Sequence, residues 1–548
     1  MSRPILLSRG AVPPAPAVRP RLIGGAVGAG LIGLAFAAPG VSVTRYYVTA
    51  QDLPALTLMA IILVLARRSG PAPGFVAPAA RLGATPWPMA GVLMVAAFMG
   101  HHLLFGGYAF SPDEQRTLMD AAIFAGGALS APLPAWDGDP DLILPSLTRL
   151  SADEARWASA YLPVNAAIHA AALRLGSTAL AAPILAGIAV VATWRCARRL
   201  WPDEPALAPV AALFVVTSAQ VVLTAMTPFA MTAHLAFNMV WLWLFLRGGR
   251  VGHAGAMLVG LAAMGLHQYA FHPLFAGPFL ATLLVRRRFA LAGAYAIAYA
   301  GGLLFWIAYP DWVMTESALS TRGGFARHLL DLVTDASSAS ATMMAANLVR
   351  YAAWQNAVWL PFAVVGAWAA LRGRRPEELA LVGALVAMPL FALVVLPNQG
   401  FGWGYRYLHG SIGAGALLAA SGFRTLAARG FRPGRALALG TLGTLTLTLP
   451  FLAFTATRLI GPVARAEAAV AALGPGFVVI EDAVAGLTGG LLVNGPTAPE
   501  GQVRMRRSRM PDSHACAAPR AGDAVVVTAP RIHDAPIAWR CETEGTIR

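Results

Sequence analysis

The chain has 548 residues, of which 57% are hydrophobic and only 12% charged, and its mean hydropathy is +0.61. So much apolar side chain in so long a chain excludes a soluble globular protein and points to a polytopic membrane protein. The formal net charge of +15 does not indicate nucleic acid as a partner, because the arginines fall in short clusters between apolar runs, as in cytoplasmic loops. The sequence has no Walker loop, no GxGxxG opening a helix and no Cys/His zinc spacing.

In chain order, residues 1–21 carry Arg3, Arg9, Arg19 and Arg21 among prolines and read as a disordered cytoplasmic tail. The apolar run from Leu22 to Val43 is long enough to span and no small-residue cleavage site follows it, so a span rather than a signal peptide is expected. Further spans are expected at about 53–66, 87–106, 178–195, 206–224, 228–246 and 254–269. The series continues at about 271–285, 290–309, 356–371, 378–396, 407–423 and 436–455. About thirteen crossings put every strong arginine cluster on one side, including Arg67-Arg68, Arg286-Arg287-Arg288 and Arg372 to Arg375.

Two long loops, about 107–177 and 310–355, then fall on the outer side, as does the polar segment 456–548. Within the first loop, 113–130 has the apolar spacing of a helix lying at the membrane surface. Arg156 to Leu175, interrupted by Pro163, reads as a second surface or re-entrant helix. In the last segment, Phe477 to Ile480 and Ala524 to Thr528 read as buried strands of a small α/β soluble domain. Cys516 and Cys541 are there a disulfide candidate. The fold class expected is thus mainly α, with a transmembrane bundle over 22–455, outer surface helices and a soluble domain over 456–548.

Three stretches carry side chains suited to chemistry. Ser111-Pro112-Asp113-Glu114 has the form of a helix start, with Ser111 as cap, proline at the first helical position and acids facing the positive end of the helix dipole. The same pair suits catalysis, since a carboxylate at an outer cavity can deprotonate an acceptor hydroxyl. Neighbours on a helix point in different directions, so Asp113 and Glu114 are expected to hold separate roles. Asp153 and Glu154 are candidates for a second carboxylate. At an outer turn, His267, Gln268 and His272 are either donors for a phosphate or sugar, or exposed turn residues. In the stretch from Pro397 to His409, Trp403, Tyr405 and Tyr407 can stack on sugar faces. Arg406 can pair with a phosphate, and His409 stands beside it.

These residues resemble those of the integral-membrane glycosyltransferases of the GT-C superfamily, the group with protein O-mannosyltransferases and aminoarabinose–lipid A transferases. Asp113-Glu114 opens the first large outer loop, Trp157 to Gly176 is similar to a Pro-containing second surface helix, and Trp403 to Leu408 is similar to a Gly-aromatic-Arg-Tyr stretch. The resemblance implies a polyprenyl-phosphate-linked sugar as donor and a lipid, glycan or protein as acceptor. It implies inversion at the anomeric carbon, with Asp113 as base and Arg406, then His267 and His272, toward the phosphate. It also implies a bacterial inner-membrane location with the active site on the periplasmic, extracytoplasmic side. Relatives differ in using a divalent cation such as Mg or Mn, and no ligand set in this sequence decides the point. The region around Pro163 departs from the family pattern, lacking a basic residue before the proline. Two other readings stay open: a transporter or flippase of a lipid-linked glycan, and an O-antigen ligase-like enzyme resting on the Arg322–His328 and Arg406–His409 clusters.

Overall fold

The structure, a computed structural model, describes residues 42–68, 85–133, 140–151, 155–314, 338–395, 398–480, 488–509, 531–532, 535–536 and 538–540. The expected tail, nearly all of the span at 22–43, Asp153, Glu154, the Arg322–His328 cluster, the strand at 524–528, Cys516 and Cys541 lie outside these residues. The described chain is mainly helical.

The first helices are α1 (Leu53–Arg68), continuing a π-helical turn at Tyr47–Asp52, α2 (Trp87–Leu103) and α3 (Pro112–Ala125). A small sheet follows, in which β1 (Ala131–Pro132) and β2 (Thr148–Ser151) both pair antiparallel with β3 (Arg156–Ser159). Next come α4 (Val164–Arg174), α5 (Ala181–Leu200), α6 (Leu207–Val216), α7 (Ala219–Thr224), α8 (Ala230–Arg247) and α9 (Gly249–Met264). The bundle is completed by α10 (Phe271–Val285), α11 (Phe289–Val313), α12 (Ser338–Ala353), α13 (Trp359–Gly373), α14 (Pro376–Val395), α15 (Ile412–Ala428), α16 (Pro433–Gly443) and α17 (Leu449–Ala471). Beyond it, β4 (Gly476–Ile480) pairs parallel with β5 (Gln502–Arg506) and antiparallel with a strand at Ala538–Arg540.

Among the described residues, five helical stretches are long and apolar enough to cross a membrane: Thr44–Ala66, Thr178–Leu200, Phe289–Val313, Pro376–Val395 and Pro433–Ala471. The chain is an integral membrane protein. Along α11, Ile297, Leu304 and Phe305 point out of the fold, a placement that suits hydrocarbon and would be costly in water.

Several elements differ from the sequence expectation for local reasons. The run at 206–224 is two helices, because Ser218 leaves helical geometry and its Oγ accepts from Val221 N at 3.3 Å, capping α7. Arg156 to Leu175 is a strand and then a helix. Pro163 lacks an N–H and disfavours helical geometry before it, so α4 begins after it, while Trp157 is buried under the strand pairing. The run at 407–423 opens with a 3-10 turn, Arg406–Ser411. The sequence break at 455/456 falls inside α17, which continues to Ala471 with its buried side chains facing the bundle.

The tightest contact in the bundle is between α13 and α15. A Cβ on Gly366 would lie 1.9 Å from Leu418 O, and one on Gly422 1.9 Å from Phe362 O, so the two backbones touch. This contact fixes the helix that follows Arg406. Gly366→Ala is expected to cost about 1–3 kcal/mol, the usual range for overpacking, and to lower the melting temperature in detergent. Gly277→Ala, where nothing lies within 4 Å, should leave it unchanged or slightly raised. Equal melting of G366A and wild type would mean the two helices can part at no cost.

Candidate active site

The site begins with the start of α3. Ser111 adopts extended geometry, its Oγ accepts from Glu114 N at 3.3 Å, and Ser111 N donates to Glu114 Oε2 at 2.6 Å. Ser111 and Pro112 start the helix as the sequence suggests, and the structure adds a capping box that turns the Glu114 carboxyl back onto the chain. Burial pushes that carboxyl up to about 8, against the hydrogen bonds from Ser111. Glu114 is therefore occupied as a cap. Asp113, one position earlier, faces the other way.

Asp113 Oδ2 forms an ion pair with Arg406 Nη1, and Asp113 Oδ1 accepts from the Tyr161 hydroxyl. Both members of the pair are close to fully buried. Burial alone would raise the Asp113 carboxyl. The Arg406 guanidinium, the nearby His267 and the Tyr161 hydroxyl outweigh it and hold the carboxyl below its ordinary range. Burial and the adjacent Asp113 together push the Tyr161 phenol up. The His267 ring stacks on Tyr161, with centroids 4.6 Å apart and planes at 25°. Two turns further along α3, Asp120 Oδ1 accepts from Ser159 N at 3.1 Å, tying α3 to β3, and burial pushes its carboxyl up to about 7.

Arg406 is delivered by a glycine-rich loop. Gly400, Gly402 and Gly404 all have positive φ (64°, 152° and 65°), which lets the backbone fold back on itself. Gln399 closes the loop: its Nε2 donates to Gly404 O at 3.1 Å and its Oε1 accepts from Arg406 N at 2.8 Å. From α7, Gln220 Nε2 donates to Tyr405 O at 2.8 Å. From α12, Arg350 Nη2 donates to Gly402 O at 2.6 Å, and its guanidinium lies 3.6 Å from the Tyr47 ring centroid. The Arg406 guanidinium itself sits 5.2 Å from the Tyr407 ring and 5.6 Å from the Phe229 ring.

Of the residues singled out from the sequence, Asp113, Arg406, Tyr407 and His267 thus come together. The other described ones lie apart from the pair or are held by structural contacts. Trp403 is buried against Phe105 at 5.4 Å and Trp354 at 6.3 Å, a core position rather than a sugar platform. Tyr405 is buried beside it. His272 lies inside α10, with its two ring nitrogens each 2.8 Å from a partner, Asn238 Oδ1 and Tyr299 Oη. His409 is buried, and neither ring nitrogen has a partner among the described residues. Gln268 joins the turn before α10 through its backbone carbonyl, which accepts from Phe271 N at 3.1 Å. Among the described residues, no group of three or more His, Cys, Asp or Glu side chains could hold a metal ion.

Three residues in contact with the pair or its loop had no role in the sequence reading: Tyr161, Gln220 and Arg350. Tyr161 stands two residues before Pro163, and an aromatic hydroxyl there carried no signal of its own. The segment after the bundle also reaches the site. Gln115 Nε2 donates to Ala109 O at 3.1 Å and also to Gly490 O, and Tyr108 donates to Gly490 O at 3.3 Å.

No protein-family model matches the chain, and no curated protein sequence does. Solved structures do. ArnT from Cupriavidus metallidurans bound to undecaprenyl phosphate is similar at a TM-score of 0.51 and 14% identity, covering 83% of this chain and 97% of that one. The apo form of ArnT is similar at 0.45 and 14%, covering 74% and 83%. The Archaeoglobus fulgidus oligosaccharyltransferase is similar at 0.37 and 13%, covering 67% and 56%. At such identities the likeness concerns the fold, and it rests on the undecaprenyl phosphate complex. The chain is a membrane protein whose fold is similar to that of this complex, as the sequence resemblance leads one to expect. In particular, it shares the fold of ArnT over most of both chains.

The raised Glu114 carboxyl gives a pH signature. The folded chain holds a proton there that the unfolded chain loses near 4.5, so the contribution to stability is full below that value. It declines with rising pH and is gone above about 8. Glu114→Gln keeps an acceptor for Ser111 N and removes the titration. The variant is expected to flatten the fall in melting temperature between roughly pH 5 and 9. A slope unchanged from wild type would assign that fall to another group.

Proposed function

We propose that this protein transfers a sugar from a polyprenyl-phosphate donor to an acceptor hydroxyl, with inversion, at the outer face of the inner membrane. The observation that carries the reading is Asp113 held between Arg406 and Tyr161 at the start of a non-spanning helix. The orientation rests on the sequence expectation of about thirteen crossings with the arginine clusters inside, by which this site and the segment beyond α17 would lie outside.

In the reaction, the acceptor O–H loses its proton to Asp113 as its oxygen attacks the anomeric carbon. The bond from that carbon to the phosphate oxygen breaks on the opposite side, and its electron pair leaves with the lipid phosphate. One displacement of this kind inverts the centre. Arg406 neutralises the leaving charge as a planar guanidinium suited to phosphate oxygens. In the unliganded protein the same guanidinium is engaged by Asp113. A donor phosphate that draws Arg406 away removes the main influence holding the Asp113 carboxyl down, so the carboxylate becomes more basic when the donor is in place. Tyr161 keeps Asp113 oriented through that exchange.

Asp113→Asn is expected to lower the turnover of reconstituted protein by about 100-fold or more, the usual contribution of a general base. Arg406→Gln should mainly raise KM for the donor. Each leaves a buried charge without its partner, at a cost of about 3–5 kcal/mol, so melting is measured alongside the rate. An Asp113→Asn protein that melts as a folded species and keeps full transfer would eliminate the proposed base. Product analysis by mass spectrometry, with a polyprenyl-phosphate sugar and acceptor in liposomes, separates a transferase from a flippase.

Arg350 enters here as a positioning residue. Arg350→Met is expected to loosen the loop through Gly402, raising donor KM more than it lowers kcat, because Arg406 would lose its fixed approach. Rescue by Arg350→Lys should be partial, since one ammonium can reach Gly402 O but cannot also stack as a planar group on Tyr47. Unaltered kinetics in Arg350→Met would confine Arg350 to packing.

A further inference from the structure

The end of the bundle farthest from Asp113 holds a second site. Helices α5, α8 and α10 finish there at Leu200, Arg247 and Val285, while α9, α11 and α14 begin there at Gly249, Phe289 and Pro376. Between these ends lies a cavity of about 500 Å³. Four arginines line it, Arg199, Arg286, Arg288 and Arg375, against Glu377 and Glu378. Glu377 is taken by Arg286. Glu378 is shared by Arg424 at 2.9 Å, Arg375 at 3.8 Å and the Trp201 indole at 3.0 Å. Arg199 and Arg288 have no ion pair among the described residues. Two cationic charges at the cavity wall are thus uncompensated.

The backbone adds to the positive character. The starts of α9 and α14 border the cavity through Gly248 and Pro376, and the N-terminal end of a helix carries partial positive charge. Arg287 and Arg374, immediately before Arg288 and Arg375, both adopt left-handed geometry at φ 55° and 53°. That geometry costs roughly 1–2 kcal/mol for a residue with a Cβ, and it reverses the chain so that the next arginine meets the cavity. Beside the opening, Leu284, Val285 and Phe289 are exposed, and Val285 is 71% exposed. An anion in the cavity would have a strip of apolar side chain running away from it along α10 and α11.

We propose that this cavity binds the headgroup of an anionic phospholipid carrying two phosphodiester charges, with its acyl chains against Leu284, Val285 and Phe289. Two phosphodiesters match the two uncompensated guanidiniums, and the apolar strip favours a lipid over a free phosphate. The site is separate from Asp113 and does not depend on the sugar-transfer reading.

The test uses the full-length protein in detergent. Native mass spectrometry follows retention of diphosphatidylglycerol, phosphatidylglycerol and phosphatidylcholine added at equal concentration, and inorganic phosphate is added separately as competitor. Wild type is expected to retain diphosphatidylglycerol most and phosphatidylcholine least. Each arginine near the surface contributes on the order of one power of ten or less, so Arg199→Gln with Arg288→Gln should weaken retention by about tenfold or more. Arg250→Gln, at the same end but outside the cavity lining, should not. Equal retention of the three lipids by wild type overturns the proposal without any variant. So does displacement by millimolar inorganic phosphate, which would mark a site for free phosphate, and so does undiminished retention in the double variant.

Discussion

Asp113 and Arg406 are 293 positions apart in the chain and meet as a nearly buried ion pair, and much of the architecture around them serves to make that meeting tolerable. Withdrawing both charges from water costs several kcal/mol per ion unless geometry and further hydrogen bonds compensate. The compensation is visible on each side. Asp113 has the Tyr161 hydroxyl on its second oxygen. Arg406 has its backbone fixed by Gln399 and its ring neighbours Tyr407 and Phe229 on the guanidinium. Gln220 and Arg350 hold the same loop by Tyr405 O and Gly402 O from two further helices.

The adjacent acids show how one sequence feature divides into two functions. Glu114 is consumed by the capping box, and burial keeps its proton on well above the ordinary carboxyl range. Asp113 is left to face Arg406 and Tyr161, which help to hold its carboxyl below the ordinary range. A helix start therefore does more than terminate backbone hydrogen bonding here. It sets the direction of the neighbouring Asp113 carboxylate, and the immobility of the cap becomes the immobility of that side chain.

What the sequence disclosed was local. Ser111 and Pro112 mark a helix start in the sequence, and the structure contains it, with Glu114 closing the cap. The clustered apolar runs gave most helices to within a few residues. The failures have a common origin in partners distant along the chain. By sequence His272 is either a phosphate or sugar donor or an exposed turn residue, whereas it is buried in α10 with Asn238 and Tyr299 as partners from other helices. Trp403 looked like a sugar platform and is packed against Phe105 and Trp354. The helix expected from Arg156 instead pairs as a strand with Ala131 and Thr148, contacts that hydropathy cannot register. At 206–224 the fault was one of scale, since a single serine cap at Ser218 divides an otherwise continuous apolar run.

The long separation of Asp113 from Arg406 also has a temporal side. A ribosome adding about 5–20 residues per second delivers Arg406 roughly 15–60 seconds after Asp113. Throughout that interval the cap at Ser111 and Glu114 can form, because its members are three residues apart, while the Asp113 carboxylate has no counterion. Gly490, which accepts from Gln115 and Tyr108 beside the same helix, emerges later still. The reactive end of the protein is thus among the last regions to be completed during synthesis. A nascent chain halted before the glycine-rich loop would carry a helix start already in shape but no guanidinium to discipline its acid.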